Sequence, residues 1–197
     1  NIAIFCIIIL TLINGCSSNA VKAQSDKTVV GAEQYNLYMD KLHDKNVAVV
    51  ANHTSMVNEK HLVDFLVENG ISVSRIFCPE HGFRGKAGAG IVINDDIDPV
   101  TNIPIISLYG NHKKPTDSDL KDVDIVVFDL QDVGVRFYTY ISTMSYVMEA
   151  CADNDIPVIV LDRPNPNAHL IDGPVLNPDY QSFVGLHPVP IVYGMTI

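Results

Sequence analysis

The chain has 197 residues, 47% of them hydrophobic and 18% charged, with a formal net charge of −10. That length can bury the core of one α/β domain, and the composition suits a globular protein. The acidic balance argues against a surface built for nucleic acid or for an anionic membrane, since both are polyanions.

The segment from Asn1 to Ile13 is almost wholly apolar and carries no charge. It is too short to span a bilayer as a mature helix and has the length of a signal-peptide core. Ile13-Asn14-Gly15-Cys16, followed by Ser17-Ser18, resembles a bacterial lipobox. That implies residues 1–15 as signal peptide, cleavage before Cys16, lipid on that cysteine and an exported lipoprotein of the cell envelope. Because the chain starts at Asn1 with no basic n-region, its start is expected to be incomplete. Residues 16–30 then form a lipid-anchored tether, polar from Ala20 to Thr28. With Cys6 removed and Cys16 modified, Cys78 and Cys151 are expected as buried free thiols, since no metal or disulfide spacing is present.

A domain over residues 31–197 follows. Ala32 to Leu42 predicts a short opening helix. Val47 to Ala51 predicts the first buried strand, ending in Asn52-His53-Thr54-Ser55. Glu59 to Asn69 places Leu62, Val63, Leu66 and Val67 on one helical face, with Gly70 as the stop. Val73 to Phe77 is a strand running into Cys78-Pro79-Glu80-His81-Gly82-Phe83-Arg84-Gly85, and a long glycine-rich loop continues to Gly90. Pro104 to Leu108 is the third strand, and Asp117 to Lys121 a capped helical turn. Ile125 to Phe128 has no polar face, as in a strand covered on both sides, and it runs into Asp129, Gln131, Asp132 and Arg136. Ile141 to Ala152 returns to helical spacing through Met144, Val147, Met148 and Cys151. Pro157 to Leu161 is the fifth strand, ending in Asp162-Arg163-Pro164-Asn165-Pro166. The remainder is rich in proline and broken by Gly173, Gly185 and Gly194.

Strands alternating with helices argue for an α/β fold: a Rossmann-like, mostly parallel sheet with helices on both faces. Each strand hands over to a polar cluster, and strand C-terminal ends share one edge of a parallel sheet. The clusters therefore converge on a ligand site. The chemistry there is narrowed by what is missing. No G-x-G-x-x-G follows the first strand, no G-x-x-x-x-G-K-[ST] occurs, and no G-x-S-x-G supplies a serine nucleophile. No NAD, ATP or other cofactor is expected by those routes. His53, His81, His112, Asp129 and Asp162 sit at strand ends and leave a cation site open, although none has tight ligand spacing.

Glu80 is the carboxyl best placed for acid catalysis. It follows Pro79 between a buried strand and a glycine-flanked loop, where partial desolvation would favour its protonated form. The alternative is a glutamate that only caps the next turn. A second carboxylate could be Asp129 or Asp132, or the substrate's acetamido group could serve. Of the four arginines, Arg84, Arg136 and Arg163 follow strand-like runs, which hints at an anionic group on the ligand.

Seven blocks carry a family resemblance: Asn52-His53-Thr54, Pro79 to Gly85, Ser107 to Gly110, Asp129 to Gly134, Arg136 to Ile141, Leu161 to Pro166, and Asp172 to Pro174. From Gly31 to Ile197 the chain resembles the bacterial exo-β-N-acetylmuramidases, formerly a domain of unknown function. The resemblance implies a glycoside hydrolase releasing N-acetylmuramic acid from the non-reducing end of peptidoglycan fragments. It implies that Glu80 is the catalytic acid and that the chain stops where a C-terminal domain would begin. Substrate contacts are expected from Asn52, His81, Arg84, Asp129, Gln131, Asp132, Arg136, Tyr138, Tyr140 and Arg163, with one arginine gripping the lactyl carboxylate. Muramic-acid-terminated saccharides are the expected partners, with membrane contact through the lipid anchor only and none with nucleic acid. His53 and Ala168 depart from the family pattern, where many members have glutamine or proline and glycine, respectively.

Overall fold

A computed structural model describes residues 28–80, 82–85 and 95–197. The signal and tether reading over residues 1–27, Cys16, His81 and the glycine-rich stretch over 86–94 lie outside the described residues.

In chain order the strands are β1 (Val47–Ala51), β2 (Met56–Val57), β3 (Lys60–His61), β4 (Val73–Cys78), β5 (Asp96–Ile97), β6 (Pro104–Ser107), β7 (Ile125–Asp129) and β8 (Val158–Val160). The helices are α1 (Met39–Leu42), α2 (Leu62–Glu68) and α3 (Tyr140–Asp153). Six strands form one sheet in the order β5-β6-β4-β1-β7-β8, parallel throughout except for the antiparallel edge strand β5. β1, the first strand of the sheet in the chain, lies at its centre. The chain winds outward to β4 and β6 on one side, then returns to β7 and β8 on the other. This is a doubly wound sheet, and its topological switch point is the crevice between the C-terminal ends of β1 and β7.

The central strands are apolar on both faces because both faces are covered. Val47, Val49 and Ala51 of β1, with Ile125 and Val127 of β7, pack against Leu62, Val63 and Leu66 of α2. Ala48, Val50, Val126 and Phe128 point the other way, onto Tyr140, Val147, Ala150 and Cys151 of α3. Right-handed crossovers leaving β1 and β7 in opposite directions must put their helices on opposite faces. Each such aliphatic side chain, taken fully out of water, contributes roughly 1.5–3 kcal/mol.

Helix ends follow local chemistry. α2 starts at His61, whose ring nitrogen Nδ1 accepts from the Val63 amide at 3.3 Å. It stops where Gly70 takes φ +79° and the Ile71 amide returns to the Leu66 carbonyl. The sequence reading started this helix at Glu59, but residues 56–61 form the β2–β3 hairpin instead. The opening helix is also different. Ala32 to Leu42 makes two 3-10 turns, Gly31–Glu33 and Tyr35–Leu37, before α1, and Leu37 faces solvent. Gly31 explains part of this, since its amide bonds the Asp162 carbonyl and a Cβ there would come within 2.6 Å of Asp162 N. The 117–121 stretch is a turn without helix, closed by Thr116 and Asp119. Cys78 and Cys151 are free and buried, and burial pushes their thiols up to about 12 and about 11.

Candidate active site

Five strand ends meet at the C-terminal edge, and named bonds cross between them. At the switch point Ser55, past β1, donates to the Asp129 carbonyl that ends β7, and the Asn52 amide donates to Ser55 Oγ. Asn52 has no exposed surface. Its amide nitrogen donates to the Tyr140 hydroxyl at 2.7 Å, and its side-chain oxygen accepts from Thr54 N and Oγ1. Thr54 Oγ1 in turn accepts from the Gln131 amide. Because His61 Nδ1 is an acceptor, its Nε2 carries the proton and donates to the Asn52 carbonyl at 2.9 Å. Burial lowers the His61 imidazole from its ordinary value, so it is neutral near pH 7.

β7 and β8 are joined at this edge by an ion pair. Arg163 Nε and Nη2 donate to the two oxygens of Asp129 at 2.6 and 2.9 Å, and Nη2 also reaches the Met56 carbonyl. Asp129 is fully buried and Arg163 is 8% exposed. Burial pushes the Asp129 carboxyl up, and the Arg163 fork pulls it back toward the ionised form. Three residues on, Asp132 is 4% exposed and accepts from the Gly134 amide and the Tyr193 hydroxyl. Among the described residues no hydrogen-bond partner reaches its Oδ1, and burial raises this carboxyl from its ordinary value. Burial, with Asp132 beside it, raises the Tyr193 phenol too.

The β4 and β6 ends supply the accessible acid. Glu80 is half-buried, and the Tyr109 hydroxyl past β6 donates to its Oε1 at 3.3 Å. The charge of Glu80 raises the Tyr109 phenol from its ordinary value. Four residues on, Arg84 bonds Asp98 through Nε and Nη2, both at 2.7 Å. It also bonds Asp64 of α2 through Nη1 and Nη2 at 3.0 and 2.8 Å. Its guanidinium lies 4.9 Å from the Phe83 ring, which meets His61 edge-on. The turn after Glu80 is thus tied to α2, to the β5–β6 turn and, through His61, to the end of β1.

These placements divide the expected substrate contacts. Asn52, Asp129, Asp132 and Tyr140 present almost no surface, and Asn52 is bonded to Tyr140, Asp129 to Arg163 and Asp132 to Tyr193, so they stand behind the edge. Every nitrogen of the Arg84 guanidinium is taken by Asp64 or Asp98. Gln131, Arg136 and Tyr138 remain half-exposed on the loop leaving β7. Gln131 Nε2 donates to the Asp132 and Pro164 carbonyls, and the Tyr138 ring packs edge-on against Tyr140. Ser55, His61, Asp98, Tyr109 and Tyr193 were missed as site residues. Ser55 and Tyr109 lie in the strand-end clusters and were within reach of that logic. Tyr193 is 61 residues from Asp132 and had no local signal.

Of the open metal candidates, His53 and Asp162 are exposed, His112 pairs with Asp119 at 2.9 Å, and Asp129 belongs to Arg163. Among the described residues no three His, Cys, Asp or Glu side chains gather to hold a metal ion. No helix among them is long and apolar enough to cross a membrane.

Residues 47–197 match the family described as exo-β-N-acetylmuramidase NamZ, N-terminal. Over 163 residues the chain is 51% identical to the peptidoglycan β-N-acetylmuramidase NamZ of Bacillus subtilis (strain 168), covering 81% of this chain and 39% of that protein. Two crystal structures of DUF1343 family proteins from Bacteroides fragilis NCTC 9343 share the fold. One is 48% identical with a TM-score of 0.75, covering 85% of this chain and 44% of that one. The other is 40% identical with a TM-score of 0.77, covering 85% and 43%. The chain spans about two fifths of the length of the curated relative it matches.

Proposed function

The chain belongs to the exo-β-N-acetylmuramidase family, and from that membership we propose that it forms the Rossmann-like part of a glycoside hydrolase with Glu80 as general acid. The substrate is a peptidoglycan fragment whose non-reducing end is N-acetylmuramic acid, and the reaction frees that sugar. One observation carries the assignment within the fold. Among the carboxylates at the C-terminal ends of β4 and β7, Glu80 is reachable from solvent, whereas Asp129 and Asp132 are enclosed. A carboxyl that must pass a proton to a glycosidic oxygen has to touch it. Glu80 protonates the leaving oxygen as the bond to the anomeric carbon breaks, water supplies the hydroxyl that replaces it on that carbon, and Tyr109 orients the carboxyl through its hydroxyl.

The supports behind the edge keep the β1, β4 and β7 loops in fixed relation, and Gln131, Arg136 and Tyr138 face the sugar. Residues 1–15 as an export signal, with lipidation of Cys16, belong to the same proposal and rest on the Ile13-Asn14-Gly15-Cys16 block.

The test is Glu80→Gln in the full-length protein with a defined muramic-acid-terminated disaccharide. General acid catalysis is worth roughly 10²–10⁴-fold, so kcat should fall by about that factor with binding nearly unchanged. An activated aryl glycoside, which needs little protonation, should recover much of the rate. Wild-type turnover of the disaccharide by the variant would remove Glu80 from the mechanism. A binding protein without activity would instead bind the disaccharide equally well with either residue and release no sugar.

A further inference from the structure

Four arginines serve this acidic chain, and the guanidinium groups of three are turned to other work. Arg84 gives all its nitrogens to Asp64 and Asp98. Arg163 gives its Nε–Nη2 edge to Asp129. Arg75 lies within β4 and donates to the carbonyls of Asp119 and Lys121, in the turn that precedes β7. That turn is at the N-terminal end of the sheet, away from the clusters.

Arg136 differs. It lies on the loop leaving β7 at the switch point, half-exposed, with exposed Phe137 and half-exposed Tyr138 next in the chain. Its Nη1 donates to the carbonyls of Pro174 and Val189 at 3.0 and 2.6 Å, which fixes the plane of the guanidinium. Among the described residues no acceptor takes Nε or Nη2, and no carboxylate pairs with this arginine. The remaining Nε–Nη2 edge is the one that Arg84 presents to Asp98 and Arg163 presents to Asp129. Two parallel N–H donors at that edge match the two oxygens of a carboxylate.

We infer that Arg136 determines specificity at this edge, its Nε–Nη2 fork receiving the carboxylate of an acidic sugar. Resting on the muramidase reading above, that group is the lactyl carboxylate of N-acetylmuramic acid. The pinned Nη1 makes the fork rigid before substrate arrives, so little ordering is needed on binding.

The experiment uses full-length protein and two disaccharides, one with the native lactyl carboxylate and one with that group as a neutral amide. Arg136→Gln should lower kcat/KM for the carboxylate substrate by about ten- to a hundredfold and change the amide substrate by no more than a few-fold. Arg136→Lys keeps the charge without the fork and should fall between the two. It also carries the test if loss of the Pro174 and Val189 contacts prevents Arg136→Gln from folding. Equal losses on both substrates, or no loss, would overturn the inference while leaving the hydrolase intact. Wild-type protein that cleaves neither substrate would overturn the functional reading and the inference together.

Discussion

Asp129 and Arg163 meet side-on at the C-terminal edge of the sheet, with both carboxylate oxygens accepting from one guanidinium at 2.6 and 2.9 Å. The pair joins the ends of β7 and β8, and through the Met56 carbonyl it also holds the β2–β3 hairpin. Its value lies less in net stability than in fixing where those loops sit, because desolvation offsets much of the attraction in a buried pair.

Removing one partner is a different matter. Arg163→Ala leaves the Asp129 carboxylate buried and uncompensated, and the expected loss is about 3–5 kcal/mol of unfolding free energy. Urea denaturation of wild type and variant measures it. A loss below about 1 kcal/mol would show that water or another donor replaces the guanidinium.

Asp98 sets a pH dependence. Burial pushes its carboxyl up, but hydrogen bonds from Arg84 and Thr101 outweigh that and leave it lowered to about 2. A folded-state pKa below the unfolded one stabilises above the unfolded value. That contribution is lost as pH falls from about 4 toward 2. The fully buried side chain makes this worth on the order of 2 kcal/mol. Asp98→Asn should therefore flatten the decline of stability between pH 4 and pH 2. An unchanged acid limb would assign that decline to other carboxylates.

Gly134 separates backbone strain from crowding. It sits at φ +70°, and a Cβ there would come within 2.1 Å of Asn165 Nδ2. Gly110 has the same φ with nothing within 4 Å. Both alanine variants incur a left-handed backbone, costing roughly 1 kcal/mol. Only Gly134→Ala must also displace Asn165, which holds the Met195 carbonyl and the Asn167 amide. Calorimetric melting should show the larger drop for Gly134→Ala. Equal drops would mean that the Asn165 loop shifts at no cost.

The lipidation proposal is tested in cells of the source bacterium. Cys16→Ala should release mature protein from the membrane fraction or leave an unprocessed precursor. A variant that fractionates and migrates like wild type would sink it.

What could be read directly from the chain followed from local rules. Ile125 to Phe128 lacks a polar face, and a strand without one must be covered on both sides. Five strand-like runs set among predicted helices pointed to a parallel sheet, and a parallel sheet collects its strand ends on one edge. That logic alone placed Glu80, Asn52, Asp129 and Arg163 at the strand ends, where they lie. The helix spacing of Leu62, Val63 and Leu66, closed by Gly70, fell into place for the same reason. The opening helix departed from expectation in part because Gly31 packs against Asp162, a contact 131 residues distant that no local pattern encodes. Edge strand β5 was invisible because two residues carry no periodicity.

Which polar residues stand on the edge and which stand behind it was decided only by the tertiary structure. Arg84, Arg136 and Arg163 look alike in sequence, each an arginine just after an apolar run. Their difference lies in the acids brought to them, Asp64 and Asp98 in one case and Asp129 in another, and in the carbonyls of Pro174 and Val189 that pin the third. A side chain's type is local, but its burial and its partners depend on segments that meet only when the chain closes.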